Sequence, residues 1–123
     1  MTVLICEDEE IMLTALAFRI RRQGFEVITA EDGREAVERI KEHQPDIIVS
    51  DIMMPHLSGL ELLEMVRVEM QSDVPVLIIS ALEREETILE AFRKGANDFI
   101  AKPFKPNELI LRIKRIIQEK NLV

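Results

Sequence analysis

Acidic, hydroxyl and basic side chains stand directly after four apolar segments of this 123-residue chain. Glu7 and Asp8 follow the first of these segments, and Asp51, Ser80 and Lys102 follow the later ones. Carboxylates that lie close together raise one another's pKa unless a cation neutralises them. Oxygen ligands select Mg²⁺ or Ca²⁺, and Mg²⁺ commonly takes one or two carboxylates with waters and a phosphate oxygen. If the fold gathers these residues, the chemistry indicated is phosphoryl transfer, with Mg²⁺ as the cofactor.

Each side chain has a role in such a reaction. Lys102 offers a positive charge to a phosphoryl oxygen, and Ser80 offers a hydrogen bond to another. Asp51 is the candidate carboxylate nucleophile, which would form an aspartyl-phosphate.

The elements that must position these residues are five short apolar runs rich in β-branched residues. They lie at residues 3–6, 25–29, 47–50, 76–79 and 99–101. Stretches with helical spacing separate them, which predicts a (βα)5 order. The runs do not alternate with polar residues, as expected of parallel strands covered by helices on both faces. In such an α/β sandwich the carboxyl ends of the strands lie along one edge, where ligands bind.

Composition restricts the class of protein. The formal net charge is -7, so the chain alone should repel nucleic acids and anionic membranes. A single cysteine, Cys6, cannot form an internal disulfide, and no apolar run approaches the ~18 residues of a membrane-spanning helix. We therefore expect a one-domain cytoplasmic protein that binds neither nucleic acid nor membrane directly.

Five segments together carry a resemblance to a known family. They are VLICEDE at 3–9, IIVSDIMMPHLSG at 47–59, VLIISA at 76–81, GANDF at 95–99 and KPF at 102–104. The sequence resembles the receiver domain of bacterial two-component response regulators, the chemotaxis-regulator-like fold, over essentially all of residues 1–123. The resemblance implies a flavodoxin-like, doubly wound fold whose five parallel strands are ordered 2-1-3-4-5.

The resemblance also implies roles for the acidic residues. Asp51 would accept a phosphoryl group from a histidine kinase or a phosphotransfer protein. Asp8 and Asp51 would bind Mg²⁺ directly, Met53 would contribute its backbone carbonyl, and Glu7 would act through a metal-bound water. Such a domain catalyses only its own phosphorylation and dephosphorylation, so it is a signalling switch and acts on no external substrate.

Other roles follow from the same resemblance. Lys102 would contact the phosphoryl group, and the Lys102-Pro103 bond would be cis. Ser80 and Phe99 would form a switch pair, in which the hydroxyl moves to the phosphoryl group and the ring turns inward. Met53 and Leu82 stand where the family modulates dephosphorylation, and neither side chain can orient an attacking water. We therefore predict slow hydrolysis of the aspartyl-phosphate.

Two surfaces are predicted to bind partners. The first helix, near residues 11–20, carries more apolar residues than one sheet-facing stripe needs, and the kinase docks there in the family. The predicted docking residues are Met12, Leu13, Leu16 and Pro103. A wide buried stripe is the alternative interpretation of this helix.

The second surface is the face formed by the fourth helix, the fifth strand and the fifth helix, which changes on phosphorylation in the family. Its predicted contact residues are Ile88, Asp98, Glu108, Arg112 and Arg115. Residues 102–116 resemble receivers that dimerise through this face and drive winged-helix DNA-binding domains. Ile88 and Arg93 replace charges expected in that subfamily, so the ion pairs that those charges would form are not expected in this chain.

Other functions stay open at this point. The chain could be a stand-alone receiver in a phosphorelay or the receiver part of a transcriptional regulator. A phosphohydrolase with an aspartyl-phosphate intermediate would need a second Asp two residues after the nucleophile, where this chain has Met53. A flavodoxin-like electron carrier would use aromatic side chains to stack on a flavin, and the chain has no Trp or Tyr.

Overall fold

The computed structural model describes residues 1–81 and 84–121. Within these residues five strands alternate with five helices, as predicted. The strands are β1 (Thr2–Cys6), β2 (Glu26–Ala30), β3 (Ile47–Asp51), β4 (Val76–Ser80) and β5 (Asp98–Ala101). The helices are α1 (Glu10–Arg21), α2 (Gly33–His43), α3 (Gly59–Glu64), α4 (Glu85–Arg93) and α5 (Pro106–Asn121). A π-helical turn over Met65–Glu69 continues α3.

The strands form one parallel sheet in the order β2-β1-β3-β4-β5, which confirms the predicted topology. The predicted strand ends are within one residue of those observed. The largest effect of this difference is at the site, because Asp51 and Ser80 are the last residues of β3 and β4 and not the first residues of the loops.

Helices cover both faces of the sheet. One apolar layer joins the sheet to α1 and α5, and it includes Leu16, Ile20 and Leu109. The other joins the sheet to α2, α3 and α4, and it includes Ile40 and Leu63. Burial of a Leu or Ile side chain contributes about 1.5–3 kcal/mol, so these two layers fix the sheet and hold its edge in place.

Side-chain caps begin two of the helices on the face of the sheet opposite α1. Asp32 accepts a hydrogen bond from the Glu35 N–H at 2.8 Å and caps α2. Ser58 and Glu61 form a reciprocal capping box at the start of α3, with two hydrogen bonds of 3.1 Å. These caps fix the residue at which each helix begins after its loop at the carboxyl edge of the sheet.

Arg67, in the π-helical turn, ties three segments together at the opposite edge. Its guanidinium donates to the carbonyls of Ser72, Val74 and Gly95 at 3.0, 2.7 and 2.8 Å. It also donates to Asn97 Oδ1 at 3.0 Å. One side chain thus links the end of α3, the approach to β4 and the turn between α4 and β5. Of the helices in the described ranges, none combines the length and the apolar character needed to cross a bilayer.

Candidate functional site

The carboxyl edge of the sheet brings together residues that are far apart in sequence. β3 lies between β1 and β4, so Asp51 at its end has the end of β1 on one side and Ser80 on the other. Glu7 and Asp8 follow β1, and Lys102 follows β5. The order of the strands reverses between β1 and β3, and this is the point at which open α/β sheets bind ligands.

Lys102 is the centre of the hydrogen-bonding at this edge. Its ammonium Nζ donates to Asp51 Oδ2 at 2.7 Å and to Glu7 Oε2 at 3.1 Å. Both carboxylates are buried, with 6% of Asp51 and 2% of Glu7 exposed. Ion pairs this well removed from water are weakly screened, so the attraction between the Lys102 ammonium and the two carboxylates is strong and keeps the ammonium beside them.

Burial and charge change the acid–base properties of this cluster. Burial, with the nearby negative charge of Asp51, raises the pKa of Glu7 to about 7, although Lys102 opposes that shift. Burial by itself would lower the pKa of Lys102. Its hydrogen bonds and ion pairs with Asp51 and Glu7 outweigh this, so its pKa is raised and the ammonium keeps its proton.

The acidic residues fit a hard divalent cation. One carboxylate oxygen from each of Glu7, Asp8 and Asp51 lies within 4.8 Å of the others. Asp8 is exposed, so the cluster opens to water on one side. An all-oxygen set with access for water suits Mg²⁺, which keeps several waters when it binds to proteins. The Met53 N–H donates to Asp51 Oδ1 at 3.3 Å, which helps to orient that carboxylate.

Glycine allows the loop after β3 to lie close to the phosphoacceptor candidate. The Gly59 N–H donates to the Ile52 carbonyl at 2.8 Å. A Cβ at Gly59 would lie 2.9 Å from the Asp51 carbonyl carbon and closer still to the Asp51 carbonyl oxygen. This role of Gly59 was not predicted from the sequence. The sequence signal for it was a glycine, just before a predicted helix, eight residues after the candidate nucleophile.

Ser80 and Phe99 lie on the same side of the sheet. Ser80 is fully buried, and its carbonyl accepts a 2.8 Å hydrogen bond from the Lys102 N–H. Phe99 pairs with Ile78 in the sheet, two residues before Ser80, and packs against the layer that contains α4. Phe99 is only partly buried. The Phe99 ring and the Ser80 side chain therefore lie on the same side of the sheet, as the two members of a switch pair would need to.

A sequence profile of the response regulator receiver domain matches residues 3–114. The chain belongs to this family. The receiver domain is similar, at 35% identity over 98% of its length, to the alkaline phosphatase synthesis transcriptional regulatory protein PhoP of Bacillus subtilis. It is 37% identical over 94% of its length to the phosphate regulon transcriptional regulatory protein PhoB of Klebsiella pneumoniae. The chain spans about half the length of these curated relatives.

Solved structures are similar over the whole domain. The receiver domain of the Francisella response regulator 1452 superposes with a TM-score of 0.92 at 33% identity, covering 97% of this chain and 98% of that one. The chemotaxis response regulator CheY4 of Vibrio cholerae superposes with a TM-score of 0.87 at 31% identity, covering 94% and 97%. These similarities agree with the fold and family predicted from the five sequence segments.

The predicted docking residues of the receiver need a correction. Leu13 and Leu16 are 4% and 5% exposed and pack in the layer between α1 and the sheet, so they cannot form a contact surface. Met12 is half-buried, and Pro103 is exposed after a cis Lys102-Pro103 bond. The wide buried stripe is therefore the correct interpretation of the two leucines, and other residues of α1 face the solvent.

The predicted output residues fall into an ion-pair network on β5 and α5. Arg112 donates to Asp98 Oδ1 at 2.9 Å and to Glu108 Oε1 at 3.1 Å, and Arg115 lies 3.7 Å from Asp98 Oδ2. Ile88 is half-buried on α4. Nearby apolar side chains are exposed, namely Leu89, Phe92 and Leu111. Leu82, predicted to affect dephosphorylation, lies outside the described residues.

Proposed function

We propose that this receiver domain is a phosphorylation-activated switch in which Asp51 is the phosphoacceptor. The observation that carries the proposal is the 2.7 Å contact between the Lys102 ammonium and Asp51, with Glu7 bound to the same ammonium. A nucleophilic carboxylate needs a cation beside it to bring a phosphoryl group within reach, because both reactants are negatively charged. Lys102 supplies that charge at the carboxylate itself.

The proposed donor is a phosphohistidine of a histidine kinase or of a phosphotransfer protein. An Asp51 oxygen forms the new bond to phosphorus while the bond from phosphorus to the imidazole nitrogen breaks, and the electron pair leaves with that nitrogen. Lys102 stabilises the negative charge on the phosphoryl oxygens during this step. The kinase takes the phosphoryl group from ATP, which places the proposed function in the cytoplasm.

Mg²⁺ is the proposed cofactor. Asp8, Asp51 and the Met53 carbonyl would hold it, with Glu7 acting through a water. When bound, Mg²⁺ supplies further positive charge to the phosphoryl group. The acidic cluster and the exposure of Asp8 support this assignment, since both suit a cation that keeps part of its water shell. The same site would serve self-catalysed dephosphorylation, for which a water must reach the phosphorus.

We propose that phosphorylation acts through Ser80 and Phe99 on the face formed by α4, β5 and α5. The Ser80 hydroxyl moves to the phosphoryl group, and the partly buried ring of Phe99 turns inward. Self-association of this face is supported by three exposed apolar side chains, Leu89, Phe92 and Leu111, beside the Asp98 ion pairs. Burial of these side chains between two copies would favour a dimer of the phosphorylated form.

The proposed output is control of transcription by a further domain of the same protein. The support is that the relatives PhoP and PhoB are transcriptional regulators of about twice the length matched here. A stand-alone receiver in a phosphorelay is the alternative. A phosphohydrolase is less well supported, because Met53 cannot act as the acid or base that such an enzyme uses.

The proposal is tested by incubating the chain with acetyl phosphate and Mg²⁺ and measuring its intact mass. We expect the gain of one phosphoryl group, stable in acid and lost in base, which is absent in Asp51→Asn. Asp73→Asn, an exposed acid far from the site, is the matched control and should retain the modification. An unmodified wild-type chain, or a modified Asp51→Asn variant, would refute the assignment. Size-exclusion chromatography with beryllofluoride then measures dimerisation.

A further inference from the structure

The side chain of Met53 lies at the carboxyl edge of the sheet without packing into the fold. It is 64% exposed, whereas its neighbour Ile52 is 5% exposed. Its other neighbour, Met54, packs against the apolar layer that contains α3. Met53 itself belongs to neither apolar layer. Core packing therefore does not explain a large thioether at this position, and its chemistry can act on the site instead.

The backbone of Met53 fixes this side chain beside Asp51. Its N–H donates to Asp51 Oδ1 at 3.3 Å, while Lys102 holds Oδ2 of the same carboxylate. Asp51 is buried and Asp8 is exposed, so water reaches the acidic cluster from the side of Asp8. The strands that precede Asp8 and Met53 are neighbours in the sheet, and both residues are exposed. Met53 therefore borders the opening through which water approaches Asp51.

The six methionines differ in their access to oxidants. Four are half-buried, namely Met12, Met54, Met65 and Met70. Met1 is 48% exposed, and Met53 is more exposed than any of the others. The Met54 sulfur also accepts a 3.9 Å hydrogen bond from the Ser50 hydroxyl. A peroxide must reach the sulfur to oxidise it, so susceptibility follows exposure. Met53 should therefore react before every internal methionine.

We propose that Met53 is an oxidation site whose sulfoxide shortens the lifetime of the aspartyl-phosphate. In the modification, hydrogen peroxide transfers one oxygen atom to the Met53 sulfur. The O–O bond breaks, the sulfur loses two electrons and the other oxygen leaves as water. A methionine sulfoxide reductase removes the added oxygen as water while a dithiol becomes a disulfide, so the change is reversible. The inference rests on the proposed function and adds regulation by oxidants to it.

The sulfoxide supplies a hydrogen-bond acceptor that the thioether lacks. A thioether sulfur accepts hydrogen bonds weakly, whereas a sulfoxide is polar. In hydrolysis, a water oxygen forms a bond to phosphorus while the bond from phosphorus to the Asp51 oxygen breaks, and the electron pair returns to the carboxylate. Both water protons leave with the dihydrogen phosphate.

This acceptor acts mainly in the transition state. The protons of the attacking water become more acidic as its oxygen bonds to phosphorus, so the hydrogen bond to the Met53 sulfoxide strengthens at that stage. An interaction that is stronger in the transition state than in the ground state increases the rate. One hydrogen bond of about 1 kcal/mol corresponds to hydrolysis that is about fivefold faster.

The test begins with limited oxidation of the chain by hydrogen peroxide, ended with catalase. Peptide mass mapping should find the sulfoxide at Met53 before it appears at any other internal methionine. Oxidised and untreated chains are then phosphorylated with acetyl phosphate and desalted into saturating Mg²⁺. Intact mass follows the loss of the phosphoryl group from chains with and without the added oxygen. The loss should be about fivefold faster after oxidation, and reductase with dithiothreitol should restore the untreated lifetime.

Two variants locate the effect. Met53→Leu keeps an apolar side chain of similar size without the sulfur, so its lifetime should be the same before and after peroxide. Met70→Leu is the matched control, because Met70 follows the π-helical turn and is half-buried away from the site. It should keep the fivefold response. The proposal is overturned by an unchanged or longer lifetime in the oxidised wild type, by a full response in Met53→Leu, or by loss of the response in Met70→Leu. Earlier oxidation of another internal methionine also overturns it.

The two readouts separate this inference from the proposed function. The peptide map needs no phosphorylation, so it reports the reactivity of Met53 in either case. If the untreated wild-type chain gains no phosphoryl group from acetyl phosphate, the proposed function is contradicted. If it is phosphorylated normally and oxidation of Met53 leaves the lifetime unchanged, only the inference about Met53 is contradicted.

Discussion

Replacement of Gly59 by alanine measures how closely α3 must approach the phosphoacceptor strand. The added Cβ would lie 2.9 Å from the Asp51 carbonyl carbon and 3.0 Å from the Ile52 Cα. Carbon atoms in contact are ordinarily about 3.5–4.0 Å apart. The Asp51 carbonyl oxygen would be closer still to the added Cβ, so the start of α3 and the end of β3 must separate by about 1 Å or more. All three neighbours are backbone atoms, so no side-chain rotation can relieve the contact.

Two effects should follow from this displacement. Overpacking of this kind costs about 1–3 kcal/mol of the free energy of unfolding, which urea denaturation measures. A shift of about 1 Å at a reacting group lowers rates by about 100-fold, so the rate of modification by acetyl phosphate and Mg²⁺ should fall by about 10- to 100-fold. The rate is followed by intact mass well below the denaturation midpoint, so that unfolded chains do not contribute.

Ser58→Ala is the control that separates the two effects. It removes the hydroxyl of the capping box next to Gly59 and should cost about 1 kcal/mol of stability. It adds no atom near Asp51, so the rate of phosphorylation should stay within about twofold of wild type. A Gly59→Ala variant that is phosphorylated at the wild-type rate would refute the reasoning, and so would a Ser58→Ala variant that loses the rate equally.

Three further predictions concern other parts of the receiver. Arg67→Met should lower the free energy of unfolding by about 2–3 kcal/mol, because the Val74 and Gly95 carbonyls lose charged donors; Arg93→Met, exposed on α4, should change it by less than about 0.5 kcal/mol in the same urea titration. The Cys6 thiol, whose pKa burial raises to about 12, should react with a disulfide reagent only as fast as the chain unfolds, and rapid labelling of the folded chain would contradict its burial. Met53→Asn should shorten the lifetime of the aspartyl-phosphate because an amide can orient water, whereas Met53→Ala should not; equal shortening by both, measured as loss of the modified mass, would instead indicate steric shielding.

The sequence predicted the sheet and its acidic edge for a definite physical reason. Parallel strands buried on both faces leave continuous apolar runs, and such runs are visible without any tertiary information. Once the strands are parallel, their carboxyl ends must share one edge. The approach of Asp51, Glu7 and Lys102 to one another was therefore predictable, although these residues are up to 95 positions apart.

Prediction failed where the sequence of one element was compatible with more than one way of packing it. α1 is apolar on several sides, so its sequence does not say which apolar residues face the sheet. Packing places Leu13 and Leu16 inside and leaves Ile11 and Phe18 outside. The role of Arg67 was not predicted either, since its four acceptors come from segments that only the folded chain brings together.

Residues at the phosphorylation site and residues on the surrounding surface contribute differently to the choice of phosphodonor. Discrimination between two partners is a difference between their binding free energies, so a group that contacts only what the partners share contributes nothing to it. In the proposed function, Asp51 and Lys102 contact the phosphoryl group, which is the same in every donor. Substitution of Lys102 should therefore slow transfer from all donors by a similar factor. Side chains that the phosphoryl group does not contact can change the ratio of rates between protein donors, and their substitution should leave modification by acetyl phosphate unaffected.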